Sequence, residues 1–283
     1  MHTTTPVPAS ARPWLLLSIL MAAVAMIGSA ITLLDRSLYD ELTAAFLPQA
    51  LAQDVVNLLV VSPGTIVLAW LALRGSAAAF VLWLGALLFT VYNYVIYAFA
   101  VPFGPMFLPW VAVLGLALFA LLGGVGAVDR RELLVAYRDR RAERAAGIAL
   151  IIVALLFGAL WLSEDIPALL EGTTPQTIVD IGVLTNPVHI LDLAFFLPAT
   201  LLVAVCWHRG EPRAAAIAPS FLVFLLLTGI PILVTPLVQV VRGEEAAWGV
   251  VVPIGTVTVV VVLLLAWLLS AMRPAAGDTA TPA

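Results

Sequence analysis

Eight apolar runs, each long enough to cross a bilayer, constrain this chain more than any other feature of it. A spanning helix needs about 20 mainly apolar residues, and stretches of that kind fall at about 13–33, 53–73, 76–99, 105–127, 146–163, 186–207, 214–241 and 249–271. In lipid the backbone must satisfy its own polar groups, so the predicted fold class is all-α, a polytopic membrane helix bundle of about eight transmembrane helices. Composition agrees. The chain is 63% hydrophobic and 11% charged, with a mean hydropathy of +1.12, where a soluble domain carries roughly 25% charged residues. Its 283 residues are used up by eight crossings and short connections, leaving no room for a separate globular domain.

Charge placement orients the bundle. All 13 basic residues are arginine, which excludes chemistry that needs a lysine Schiff base. With the N-terminus inside, Arg12, Arg74, Arg130, Arg131, Arg138, Arg140, Arg141, Arg144, Arg209, Arg213 and Arg273 fall in cytoplasmic segments, and only Arg36 and Arg242 fall outside. That asymmetry satisfies the positive-inside rule and predicts a protein of the cytoplasmic (plasma) membrane with both termini cytoplasmic. The outer connections are acidic instead, with Asp35, Asp40 and Glu41 in the first and Glu164, Asp165, Glu171 and Asp180 in the third. The first apolar run follows Arg12 and contains Gly28, Ser29 and Ala30, as a signal peptide does, but it is too long for an h-region and reads as a retained helix. Cys206 stands alone in an apolar run and reads as a small core residue.

The longest inner connection, 129–144, interleaves Arg130, Arg131, Arg138, Arg140, Arg141 and Arg144 with acids and carries a short apolar patch at Leu133, Leu134 and Val135. Such a segment serves as a topology anchor, and it has the character of an interfacial helix that meets anionic lipid headgroups. The net charge of −4 gives no basic footprint for a nucleic-acid partner. Gly123, Gly124 and Gly126 follow no strand and are not a dinucleotide fingerprint.

Sliding the chain by 135 residues brings two segments into gapless register. Val55–Ser76 then lies on Ile190–Glu211, with Asn57 on Asp192, Pro63 on Pro198, Thr65 on Thr200, Arg74 on Arg209 and Gly75 on Gly210. A long acidic outer connection precedes this helix in each half, and a short Arg-Gly inner connection follows it. The register predicts a 4+4 parallel internal repeat: a tail at 1–12, a first repeat at 13–127, a basic connection at 128–145, a second repeat at 146–271 and a tail at 272–283. Repeats of four helices share one orientation and are related by an axis along the membrane normal. The second and sixth helices are expected to face one another across it.

Polar side chains are costly in hydrocarbon, and the few present cluster. Gln53, Asp54 and Asn57 open the second run, Asn186, His189 and Asp192 open the sixth, and Tyr92, Asn93, Tyr94 and Tyr97 close the third. Asp54 and Asn57, like His189 and Asp192, stand three apart on one helical face, and the register makes these pairs equivalent. The predicted ligand-binding pocket is Asp54, Asn57, Asn93, Tyr94, Asn186, His189 and Asp192, opening outward. Alternative roles are plain: Asp54 and Gln53 as caps of a helix start, Tyr94 and Tyr97 as an interfacial belt, His189 as a packed histidine. Asp192 lies too deep in its run to be a cap. Gly229, Pro231 and Pro236 break the seventh run, which suits a pathway wall or a hinge.

Three functional readings follow. The first is binding or transport of a small solute or ion in an outward pocket, with Asp54 and Asp192 carrying charge and His189 sensing protons. The second is an intramembrane enzyme acting on a lipid-like substrate, with Asp54, His189 and Asp192 as a metal set or His189 as a base. No HExxH pair or nucleophile elbow supports it, and no cofactor is identified. The third is a scaffold or accessory subunit whose polar cluster only pins helices together.

Overall fold

The computed structural model describes residues 7–127 and 139–271. Among these residues there is no strand, and eight helices are long and apolar enough to cross a membrane. They are α1 (Arg12–Leu34), α2 (Leu47–Leu73), α3 (Ala77–Ala100), α4 (Phe107–Ala127), α5 (Arg140–Glu171), α6 (Pro187–His208), α7 (Pro212–Val241) and α8 (Val251–Ala271). The chain is thus a multi-pass membrane helix bundle. Positions 128–138 of the basic connection, including Arg130, Arg131 and Arg138, lie outside the described residues. Arg140, Arg141 and Arg144 stand exposed on the first turns of α5, behind an Asp139 cap whose carboxylate accepts from the Arg141 N–H at 2.8 Å.

Two helices are longer than their apolar runs. α2 starts at Leu47 with Pro48 in its first turn, where the missing proline N–H has no helical partner to lose. Gln53 and Asp54 are therefore inside the helix, and Asp54 is 2% exposed. It does not cap a helix start. α5 continues past Ser163 to Glu171, carrying Glu164 and Asp165 on the helix and absorbing Pro167, and Gly172 closes it at φ 66°.

α2 and α6 are each interrupted by one π turn, at Asn57–Val61 and Asp192–Phe196. In each case a proline, Pro63 or Pro198, sits one residue past the start of the following α segment. A proline ring presses on the carbonyl four residues back, here that of Leu59 or Ala194, which lies inside the π turn. Widening the turn there makes room for the ring. Thr65 and Thr200 bond back to the last π residue, Val61 or Phe196, at 2.7 and 2.6 Å. Gly75 and Gly210, at φ 91° and 77°, turn the chain after these helices.

α3 and α7 form the centre of the bundle. They cross where Gly85 lies against α7: a Cβ on Gly85 would sit 2.4 Å from Val223 Cβ and 2.7 Å from the Ser220 carbonyl. The Ser220 hydroxyl donates to the Val81 carbonyl at 3.2 Å. The expectation that the second and sixth helices face one another is corrected here: the pair that meets at the centre is α3 and α7, whose backbones approach closely through the small residues Gly85 and Ser220. α2 instead packs its first part along α7. Buried apolar side chains form two clusters, one among α1–α4 and one among α5–α8 that also takes Val56 and Val61 from α2 and Ala86, Phe89 and Tyr92 from α3.

Candidate functional site

A cavity of about 560 Å³ opens between α2, α3 and α7, with Trp161 of α5 and the start of α6 completing its wall. It lies at the end of the bundle away from the termini, which we call the far end. Its lining is mainly apolar, from residues such as Phe46, Phe89, Ile96 and Pro231, and includes no Asp, Glu, Arg or His. Its polar groups are amides, hydroxyls and one indole: Gln49, Gln53, Asn93, Tyr92 and Tyr97 on α2 and α3, Thr228, Thr235 and Gln239 on α7, and Trp161 and Thr177 besides. The two threonine hydroxyls of α7 are spent on their own helix, bonding to the Phe224 and Pro231 carbonyls.

Of the seven residues predicted to line a pocket, Asn93 alone lines this cavity. Asn57 lies just behind it. Its Oδ1 accepts from Gln53 Nε2 at 3.0 Å and from Asn93 Nδ2 at 3.4 Å, while its own buried Nδ2 has no partner. Two cavity amides are thereby anchored on one buried asparagine. Tyr94 is buried, stacks on Tyr97 at 5.3 Å and borders a narrow crevice with Asn57. It is not part of an exposed aromatic belt. Asn186 is the cap of α6, accepting from the Val188 and His189 N–H groups at 3.0 and 3.3 Å.

The three ionisable members go to separate places. Asp54 accepts from four hydroxyls, Ser29 Oγ at 2.9 Å, Thr32 Oγ1 at 2.6 Å, Tyr39 OH at 2.7 Å and Tyr97 OH at 2.9 Å. Burial, and then the adjacent Asp54 charge, push the Tyr39 hydroxyl far above the usual phenol range, so it stays a donor. His189 Nδ1 meets Asp165 Oδ1 at 2.9 Å, with Glu164 at 4.0 Å from its other nitrogen, and its ring stacks on Trp161 at 4.5 Å. Asp192 accepts from Trp161 Nε1 at 2.8 Å and has the Tyr92 hydroxyl as its second partner. Among the described residues no group of three His, Cys, Asp or Glu side chains could hold a metal. The predicted metal set of Asp54, His189 and Asp192 is not assembled, because each member is occupied by its own neighbours.

No family model, curated protein or solved structure matches the chain. Its chemistry rests on this geometry.

Four contributors escaped the sequence reading: Ser29, Thr32, Tyr39 and Trp161. Ser29 and Thr32 stand three apart on α1, and that spacing inside an apolar helix was the available signal. Trp161 carries no polar pattern of its own, yet it touches His189, Asp192 and the cavity together. Tyr39 sits on a short 3-10 helix, Arg36–Tyr39, after α1, where nothing in the sequence aims it inward.

Proposed function

We propose that this protein binds a small, uncharged and mainly apolar molecule in the cavity between two four-helix halves, as a membrane receptor or carrier. The cavity's lining carries the reading, since a cavity of about 560 Å³ with a mainly apolar wall, a group of three amides on α2 and α3 and, among the described residues, no Asp, Glu, Arg or His suits a neutral molecule with a polar end. Gln49, Gln53 and Asn93 would receive that end. The carboxylates first assigned to a charged solute are engaged elsewhere, which narrows the ligand class to neutral molecules.

The 4+4 repeat is part of the proposal. The π turns, the following helices Ser62–Leu73 and Leu197–His208, and the starts of α3 and α7 at Ala77 and Pro212 all keep the 135-residue offset. Gly85 and Ser220, which meet at the α3–α7 crossing, share that offset, as residues beside a two-fold axis would. The arginine asymmetry supports cytoplasmic termini in the plasma membrane, so the cavity opens outward, and Arg140, Arg141 and Arg144 meet anionic headgroups on the inner face.

The test is recovery of the occupant. Protein purified in nanodiscs and examined by native mass spectrometry should retain an apolar species that Ala50→Trp, placed in the cavity wall, excludes. Gly64→Ala, where an added Cβ meets nothing within 4 Å, is the control. Equal recovery from wild type and Ala50→Trp would overturn the reading.

A further inference from the structure

Asp54 places a carboxyl group about 10 Å into α2, counting 1.5 Å per residue from Leu47. Among the described residues no arginine or histidine bonds it; its partners are the neutral hydroxyls of Ser29, Thr32, Tyr39 and Tyr97. Hydrogen bonds from neutral donors stabilise a carboxylate but leave its net charge in place, and an uncompensated charge at this depth is costly. Four hydroxyl oxygens therefore lie 2.6–2.9 Å from the two oxygens of one carboxylate, Ser29 and Tyr97 on Oδ1 and Thr32 and Tyr39 on Oδ2. We propose that this cluster is a binding site for a small monovalent cation, sodium.

The ligand chemistry favours that ion. Oxygen-only ligands suit hard cations, and a single carboxylate neutralises a single positive charge, whereas calcium sites collect several carboxylates. Each hydroxyl has lone pairs to offer once its proton turns away. Thr32 has somewhere to turn: its hydroxyl also lies 3.2 Å from the Gly28 carbonyl and 3.1 Å from the Ser29 carbonyl. Tyr39 and Tyr97 are held in place by Trp110, whose ring lies 6.4 and 5.2 Å from theirs, so the site is built before the ion arrives.

The other half supports the same conclusion by contrast. At the 135-residue offset His189 takes the place of Asp54, and Glu164 that of Ser29. There a basic side chain, His189, lies beside two acids, 2.9 Å from Asp165 and 4.0 Å from Glu164. Around Asp54, among the described residues, only neutral hydroxyls bond the carboxylate. Tyr97 lines the cavity as well as bonding Asp54, which places the ion one side chain from the neutral ligand.

The proposal is independent of the cavity reading, because sodium is assayed in ligand-free detergent. Purified protein should retain radioactive ²²Na⁺, and its melting temperature should rise with NaCl over choline chloride at equal ionic strength, saturating as a single site does. Lithium should compete better than potassium. Asp54→Asn should abolish both signals, and Thr32→Ala should weaken the apparent affinity at least tenfold. His189→Gln should change neither. If Asp54→Asn does not fold, Thr32→Ala, Ser29→Ala and the wild-type isotherm decide. Equal melting in NaCl and choline chloride with no ²²Na⁺ retained by wild type, or retention unchanged by these substitutions, overturns the site. A melting curve that responds to pH alone would make Asp54 a proton site instead and overturns sodium equally.

Discussion

Asn57 and Asp192 each open a π turn, and each is followed six residues later by a proline. They also share a task, since each offers a side-chain oxygen to donors that border the cavity: Gln53 and Asn93 for Asn57, Trp161 for Asp192. An amide oxygen suffices in the first half. Asp192→Asn is therefore expected to change stability by less than about 1 kcal/mol, while Asp192→Leu, which orphans the indole N–H, should cost about 1–3 kcal/mol. Unfolding in mixed micelles of graded denaturing detergent would separate the two.

Hydroxyls on Asp54 should matter more than hydroxyls that bond their own helix. Thr32→Val removes a 2.6 Å bond to a carboxylate, and a loss of about 1.5–3 kcal/mol follows for a charge-assisted bond. Thr90 bonds only the Ala86 carbonyl on its own helix, and Thr90→Val should lie within about 0.6 kcal/mol of wild type, the mean for polar contacts in membranes. Equal effects in the same unfolding assay would refute the ranking.

Packing at the α3–α7 crossing is set by one missing side chain. Gly85→Ala drives a methyl into Val223 and the Ser220 carbonyl and should cost about 1–3 kcal/mol through overpacking. Val223→Ala should recover part of that loss in the double variant. Gly147→Ala, whose new Cβ would meet its nearest neighbour at 3.8 Å, should be tolerated.

Orientation can be read by labelling. In a Cys206→Ser background, Glu245→Cys on the connection after α7 should react with an impermeant maleimide in intact cells. Glu211→Cys, between α6 and α7, should react only after the membrane is opened. The reverse pattern would invert the arginine assignment.

The eight spans were legible because lipid imposes one rule on every residue of a crossing helix, and the apolar runs obey it. Their ends were less so. Leu47–Ala52 continues α2 beyond its apolar run, and Pro48, a helix-start signal, marks that end. The displaced start made Asp54 look like a cap, although it is buried on all sides. Glu164 and Asp165 read as loop because acids are costly in lipid, yet α5 carries them to His189. The i, i+3 pairs named residues that matter but merged two centres into one: Asp54 faces α1, and His189 faces α5. No pattern of residue types announces a π turn, so although the 135-residue register already paired Asn57 with Asp192, the turn that each opens emerged only from the backbone.

Pro231 and Pro236 both border the cavity. Neither has an N–H, so the carbonyls of Leu227 and Ile232, four residues earlier, lose their α-helical donors. α7 thus holds two acceptors that no side-chain inventory counts. For the neutral occupant proposed above, an alcohol, phenol or amide N–H is expected to be favoured over its ketone, ether or ester counterpart, with the main chain of Ile232, a cavity-lining residue, as the acceptor.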